Sequence, residues 1–287
     1  MINPNSDNPL YPSLIISVYR DVRALELIFD ALKAQTWKKF EVVIAEDGED
    51  IEMANAVSRL RESVDFPVKH TTQPDQGVRK SHSQNRAVLA SEGDYLIFID
   101  GDCVPYRRFI ENHLLLSQPM SLVSGRRVNL GPIYSRKMRE GKLSPAELEN
   151  KFLFLLPFIW RDAKESHIEE GIQIQCGGLM HRFLSKRKRV PSLLGCNMSM
   201  YRDALFAING FDESLGNSSK AGDFDIEWRL KGLGYTVVSG KYLVNQFHLY
   251  HERNPEHYDR GMMQIIRKNM VNKQYICRDG LLKSNAE

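Results

Sequence analysis

Asp100-Gly101-Asp102 closes the apolar run Leu96 to Ile99 with two carboxylates one residue apart. At the carboxyl end of a central strand, two such acids can share one hard divalent cation and its phosphate ligands. A metal held there would act as a Lewis acid toward a departing diphosphate. The alternative is a turn whose acidic side chains are simply solvated. Further along, Asp223, Asp225 and Glu227 stand at the start of a helical stretch, a favourable N-terminus for the negative charge they carry. His248 and His251, at i and i+3, are either polar loop residues or ligands, since neutral imidazole binds ions of the Mn²⁺ class.

The elements that must position these groups follow a regular alternation. Strands are expected at 14–19 ("LIISVY"), 40–45 ("FEVVIA"), 66–72 ("FPVKHTT", exposed) and 94–100 ("DYLIFID"). Between them, helical spacing places Val22, Leu25, Ile28, Phe29 and Leu32 on one face, then Met53, Ala56, Val57 and Leu60 on another, and 81–91 forms a third helix. Strand and helix in turn predict a parallel sheet covered on both faces. Ligands then bind beyond the carboxyl ends of the strands, which puts Tyr19-Arg20, Glu46-Asp47 and Asp100-Gly101-Asp102 in one crevice. The second half is less regular. It predicts a strand at 196–201, helices near 203–208 and 225–235, a strand in "TVVSG", and a tail helix within 256–277.

Composition narrows the class. A chain of 287 residues, 42% hydrophobic and 26% charged, has the make-up of a soluble globular protein. Its net charge of +3 is too small and too spread to argue for nucleic acid. No stretch of 18 apolar residues is present and no secretory signal is visible at the start. Cys103, Cys176, Cys196 and Cys277 are scattered, which fits a reduced, cytoplasmic setting without a disulfide framework or structural zinc.

Five segments, in order, resemble a family 2 glycosyltransferase of the GT-A fold. They are "LIISVYR", "VVIAEDGE", "DQGVRKSHSQNRAVLASEGDYLIFIDGDC", "GCNMSMYRDALFAINGFDE" and "GDFDIEWRLKGLGY". The likeness is to enzymes of bacterial cell-surface polysaccharide and lipopolysaccharide synthesis and to chondroitin-polymerase-type catalytic domains. It implies an α/β fold, with a Rossmann-like mixed sheet flanked by helices and merged with an acceptor-binding half. The reaction implied is metal-dependent, inverting transfer of a sugar from a nucleotide-sugar, by family habit a UDP-sugar, to an acceptor hydroxyl.

The resemblance also implies roles. Asp47 would hold the nucleotide base, preceded by Glu46 where Asp is more usual. Arg79 or Lys80 would meet the base or diphosphate, and positive charge at a helix start, unfavourable by itself, supports a ligand there. Asn85 would pack below the nucleotide, Asp100 would touch the ribose, and Tyr19 and Arg20 would complete the nucleotide site. Asp102 would bind Mn²⁺ or Mg²⁺ with His251 or His248. Asp223 falls on the catalytic base, held ready as its anion by the helix start, with Asp225 as understudy. Gly222 departs from the pattern, standing where relatives carry a Glu that contacts acceptor.

The implied organisation is a flexible lead at 1–12, a nucleotide-sugar-binding half at 13–125, an insertion at 126–192, an acceptor and catalytic half at 193–255, and a C-terminal helix and tail at 256–287. Within the insertion, Lys151 to Trp160 is apolar and reads as a buried helix or a subunit contact, as in a homodimer. Paired with the basic run Arg182, Lys186, Arg187, Lys188 and Arg189, it reads instead as a peripheral contact with the inner membrane, where a lipid-linked glycan acceptor would lie. Two rivals stand. A sugar nucleotidyltransferase needs a Gly-rich loop that "VYRDVRAL" lacks. A catalytically degenerate nucleotide- or glycan-binding relative is the stronger of the two, because of Gly222.

Overall fold

The computed structural model describes residues 10–165, 168–174, 178, 192–215, 222–252 and 260–283. The first half alternates as its pattern predicts, in strands β1 (Pro12–Val18), β2 (Glu41–Glu46), β3 (Val68–Thr71) and β4 (Tyr95–Asp100) and helices α1 (Val22–Lys33), α2 (Ile51–Glu62) and α3 (Lys80–Ala90). Asp21 and Asp50 start α1 and α2 by accepting from the backbone N–H groups of Ala24 and Met53. Leu10 is already buried in the core and β1 starts at Pro12, so these residues do not belong to a flexible lead, and residues 1–9 lie outside the described residues.

Next come β5 (Cys103–Pro105), α4 (Phe109–Leu116), β6 (Ser121–Ser124), β7 (Arg126–Asn129), α5 (Pro132–Arg139), α6 (Pro145–Asn150) and α7 (Phe152–Asp162). The last part holds β8 (Asn197–Tyr201), α8 (Arg202–Ala207), α9 (Gly222–Gly232), β9 (Thr236–Ser239), β10 (Asn245–His248) and α10 (Arg260–Val271).

A seven-stranded sheet has the order β3-β2-β1-β4-β8-β6-β9. β3, β2, β1 and β4 are parallel, but β8 runs antiparallel to both β4 and β6. The wholly parallel sheet suggested by the alternation is therefore corrected to a mixed one, as the resemblance implied. The cause is the chain's point of return. β8 enters at the rim, with Asn197 opposite Ile99, and runs away from it. The pleat divides the core, with Leu14, Ile16, Val42, Ile44, Ile97 and Ile99 facing α1 and α2, and Ile15, Val43, Leu96 and Phe98 facing α3 and α9.

A second sheet, β5-β10-β7, stands beyond the carboxyl ends of the first. The expectation of a buried helix at Lys151 to Trp160 is also corrected. α7 forms there, but only Phe152 and Ile159 are buried, while Leu153, Phe154, Phe158 and Trp160 are exposed. The basic run at 182–189 lies outside the described residues.

Candidate active site

The parallel strands β1, β2 and β4 end side by side, so Tyr19, Asp47 and Asp100-Gly101-Asp102 emerge at one rim. Backbone bonds lock that rim: Asp47 N–H donates to Val18 O at 3.1 Å and Gly101 N–H to Ser17 O at 2.7 Å. Glycine is required at 101, since a Cβ there would lie 2.9 Å from Ser17 O and 3.2 Å from Val18 Cα. Immediately after β1, Arg20 adopts φ +54°, a left-handed conformation that strains a non-glycine residue.

The histidines arrive through strand register. β10 pairs antiparallel with β5 so that His248 stands opposite Cys103, and Leu249 N–H donates to Asp102 O at 2.9 Å. His248 Nε2 and His251 Nε2 thereby lie 3.4 and 3.3 Å from Asp102 Oδ2. Donor atoms of all three side chains fall within 4.8 Å of one another, a spacing that could hold one metal ion. Burial opposes ionisation of Asp102, but hydrogen bonds from His248 and His251 outweigh it and hold the carboxyl well below the usual range. The Asp102 contact in turn raises the pKa of His251. One carboxylate and two imidazoles suit a first-row ion of the Mn²⁺ type better than Mg²⁺, which favours oxygen ligands.

Lys80, at the start of α3, donates to Asp100 Oδ1. Burial disfavours its ammonium, yet Asp100, with Cys196 and Asp223 adding to it, raises its pKa. The same helix start is tied to Asp47, which accepts from Arg79 N–H and from Gln73 Nε2, both at 2.6 Å. Glu46 is a structural acid, accepting from Asp50 N–H and pairing with His70 at 2.7 Å.

Asp223 sits in the first turn of α9, where Gly195 N–H donates to Oδ2 at 3.1 Å and Phe224 N–H to Oδ1 at 2.9 Å. The expectation that a helix start holds it low is corrected. Burial pushes its carboxyl above the ordinary 3.8, and the two backbone bonds and Lys80 only partly offset that. A raised pKa suits a group that must take up a proton.

A crevice of roughly 810 Å³ brings Tyr19, Asp47, Lys80, Asp100, Asp102, Asp223, His248 and His251 together. Four other candidates do not line it. Arg20 pairs with Asp75 at 2.8 Å, largely in solvent. The Arg79 guanidinium donates to Pro74 O, so Lys80 is the cation that reaches the crevice. Asn85 is buried, bonding Phe211 at both N–H and O and Glu213 at Oε1, so it pins α3 to that segment. Asp225 is no understudy in position. Both its oxygens are engaged in the core, by Trp228 Nε1 at 3.0 Å and Arg229 Nε at 2.7 Å.

Sequence reasoning missed Arg127 and Arg139, which also line the crevice. Burial opposes the Arg127 cation, but Cys196, Cys103, Asp100 and Asp102 more than compensate and raise its pKa. Arg139 makes a two-pronged contact with Asp21, at 2.8 and 2.7 Å. Their only trace in the sequence is positive charge inside a stretch with no recognised motif. The arrangement thus offers Lys80 and Arg127 to a polyanion, with Arg139 held by Asp21, a carboxylate–imidazole cluster for a divalent ion, and an acid with a raised pKa beside them.

This architecture recurs among solved glycosyltransferases. The mannosyltransferase PcManGT from Pyrobaculum calidifontis, solved in complex with GDP-Man and Mn²⁺, superposes with a TM-score of 0.57 at 17% identity, over 95% of this chain and 65% of its own. S. aureus TarS 1-349, in complex with UDP, gives a TM-score of 0.57 at 15% identity, over 92% of this chain and 66% of its own. At such identities the likeness speaks for the fold, which is GT-A. Among curated proteins, glycosyltransferase AglE of Haloferax volcanii is 26% identical over 125 residues, 42% of this chain and 38% of AglE. Less than two thirds of each of these relatives is therefore spanned. The model of "Glycosyl transferase family 2" matches residues 13–186, more than half of the sequence, and the chain belongs to that family.

Proposed function

We propose that the chain is an inverting glycosyltransferase that moves a sugar from a nucleotide-sugar to an acceptor hydroxyl. The observation that carries this reading is the placement of Asp223 and the Asp102–His248–His251 cluster on one crevice at the carboxyl ends of β1, β2 and β4. Asp47 offers carboxylate oxygens to the N–H of a nucleotide base, and Tyr19 lies beside it. Lys80 and Arg127 counter the charge of the diphosphate. A divalent ion held by Asp102, His248 and His251, Mn²⁺ by the nature of the donors, would stabilise the departing nucleoside diphosphate as a Lewis acid. Asp223 accepts the proton of the acceptor hydroxyl as its oxygen attacks the anomeric carbon, and the bond to the diphosphate oxygen breaks. Attack from the face opposite the leaving group inverts the centre.

UDP is the proposed nucleotide on family habit, although PcManGT was solved with GDP-Man and TarS 1-349 with UDP. A surface-glycan acceptor and a cytoplasmic setting belong to the same proposal. No helix among the described residues is long and apolar enough to cross a membrane. The test is release of nucleoside diphosphate from a panel of UDP-, GDP- and dTDP-sugars with Mn²⁺. Turnover of one nucleotide class, with the β-anomer arising from an α-linked donor, is expected. Nucleotide binding without any turnover, even slow hydrolysis, would favour the degenerate relative.

A further inference from the structure

α7 presents to solvent what most helices hide. Leu153 is 68% exposed, Phe154 77%, Phe158 59% and Trp160 65%, and Pro157 is exposed with them. The opposite face is well anchored. Phe152 and Ile159 are buried, and the Phe152 ring packs 6.1 Å from that of Phe247 in β10. At the far end, the Asp162 carboxylate accepts from the N–H groups of Ile133 and Tyr134, fastening α7 to the start of α5. The helix is therefore held in place with three aromatic side chains turned outward, in a contiguous patch of the kind that marks an interaction surface.

Most of the exposed charges around it are positive, and the exposed acids Glu140 and Glu147 are each held by a neighbour, Lys142 and Ser144. Lys151, Arg161 and Lys164 on and beside α7, and Arg136 and Lys137 on α5, are all exposed. The acids of the same stretch are engaged within it. Asp162 caps α5, Glu149 accepts from Arg107, Glu147 closes the capping box with Ser144, and Glu140 pairs with Lys142. Aromatic residues among cations fit the boundary of an anionic bilayer, where rings enter the headgroup layer and ammonium and guanidinium groups meet lipid phosphates. A second copy across a two-fold axis would bring the same cations against each other.

We infer that the outward face of α7, with the cations around it, docks the protein on an anionic lipid surface. The docking stands independently of the transfer chemistry. Flotation of the full chain with phosphatidylcholine vesicles, and with vesicles containing about one third phosphatidylglycerol, tests it. Binding is expected to the anionic vesicles, weakened by salt. Each surface charge near anionic lipid is worth roughly a fivefold change in partitioning. The pair Arg161→Gln and Lys164→Gln should therefore weaken binding about 25-fold. The pair Phe154→Ser and Phe158→Ser should abolish it, with Tm and nucleotide binding unchanged because these rings are exposed. Quenching of Trp160 fluorescence by brominated lipid, lost in Trp160→Tyr, would show the helix at the acyl boundary. No binding to anionic vesicles would overturn the inference. So would equal binding to neutral ones, binding indifferent to all these substitutions, or a dimer in solution that the phenylalanine substitutions dissolve.

Discussion

Asp223→Asn and Asp225→Asn are chemically the same change two residues apart, yet they should have opposite consequences. Asp223 faces the crevice, and its burial makes ionisation unfavourable in the folded protein. By linkage, a carboxyl whose folded pKa is raised lowers stability as pH rises through the window above its unfolded value. An asparagine removes that penalty and keeps an oxygen for the Gly195 or Phe224 N–H, so Tm should hold or rise slightly. Turnover should fall by about 10²- to 10⁴-fold, the usual contribution of a general base, or roughly 3–5 kcal/mol in the barrier. Asp225 and Arg229 form an ion pair at 2.5 Å in which both side chains are 1% exposed. Removing one charge leaves the other buried and uncompensated, which costs about 3–5 kcal/mol. For a chain of this size that is a Tm loss of roughly 5–8 °C. The residual folded Asp225→Asn protein should turn over donor at near-normal rate. Donor turnover per folded molecule, with Tm by differential scanning fluorimetry, separates the two. Near-normal turnover by Asp223→Asn, or a catalytic defect without a Tm loss in Asp225→Asn, would refute the assignment of roles.

Turnover should decline as pH falls through the Asp223 pKa, which lies above 3.8, because only the ionised acid accepts a proton; a flat rate at metal saturation down to that range would count against it as base. Arg127→Gln should raise the donor KM roughly tenfold, about 1.4 kcal/mol, with a smaller change in kcat, as initial rates would show. In Gly101→Ala the new Cβ meets backbone at Ser17 and Val18, which cannot give way as a flexible side chain would. That substitution should lower stability by about 1–3 kcal/mol and weaken Mn²⁺ binding as well, measured by urea unfolding and metal titration. Gly222→Ala, by contrast, meets nothing within 4 Å and should leave the fold intact.

The first half of the fold was legible because its signals are local. An apolar run of five or six residues marks a strand buried on both sides, and helical spacing such as Leu25, Ile28, Phe29 and Leu32 marks the face that covers it. The short strands β5, β6, β7 and β10 carry three or four residues each and acquire their meaning only from distant partners. It is the register of β10 on β5 that sets His248 beside Asp102, and no spacing along the chain announces it. Arg127 enters the crevice for the same reason, as β7 lies parallel to β10. Asp225 carries a readable signal of its place in the core, since Asp and Arg four apart on one helix are natural partners. Asp223 shows local electrostatics losing to tertiary burial. α7 defeated its pattern from the other side, because an apolar helix is expected to be covered and this one is covered on a single face.

Calorimetric titration with Mn²⁺ and then UDP, on the unmodified protein and on Asp102→Asn, addresses the proposed site most directly. The account predicts UDP binding that depends on Mn²⁺ in the unmodified protein, and loss of both the Mn²⁺ heat and the UDP heat in Asp102→Asn with Tm preserved. Equal Mn²⁺ and UDP binding by the two proteins would contradict it, and would remove Asp102, His248 and His251 from the donor site.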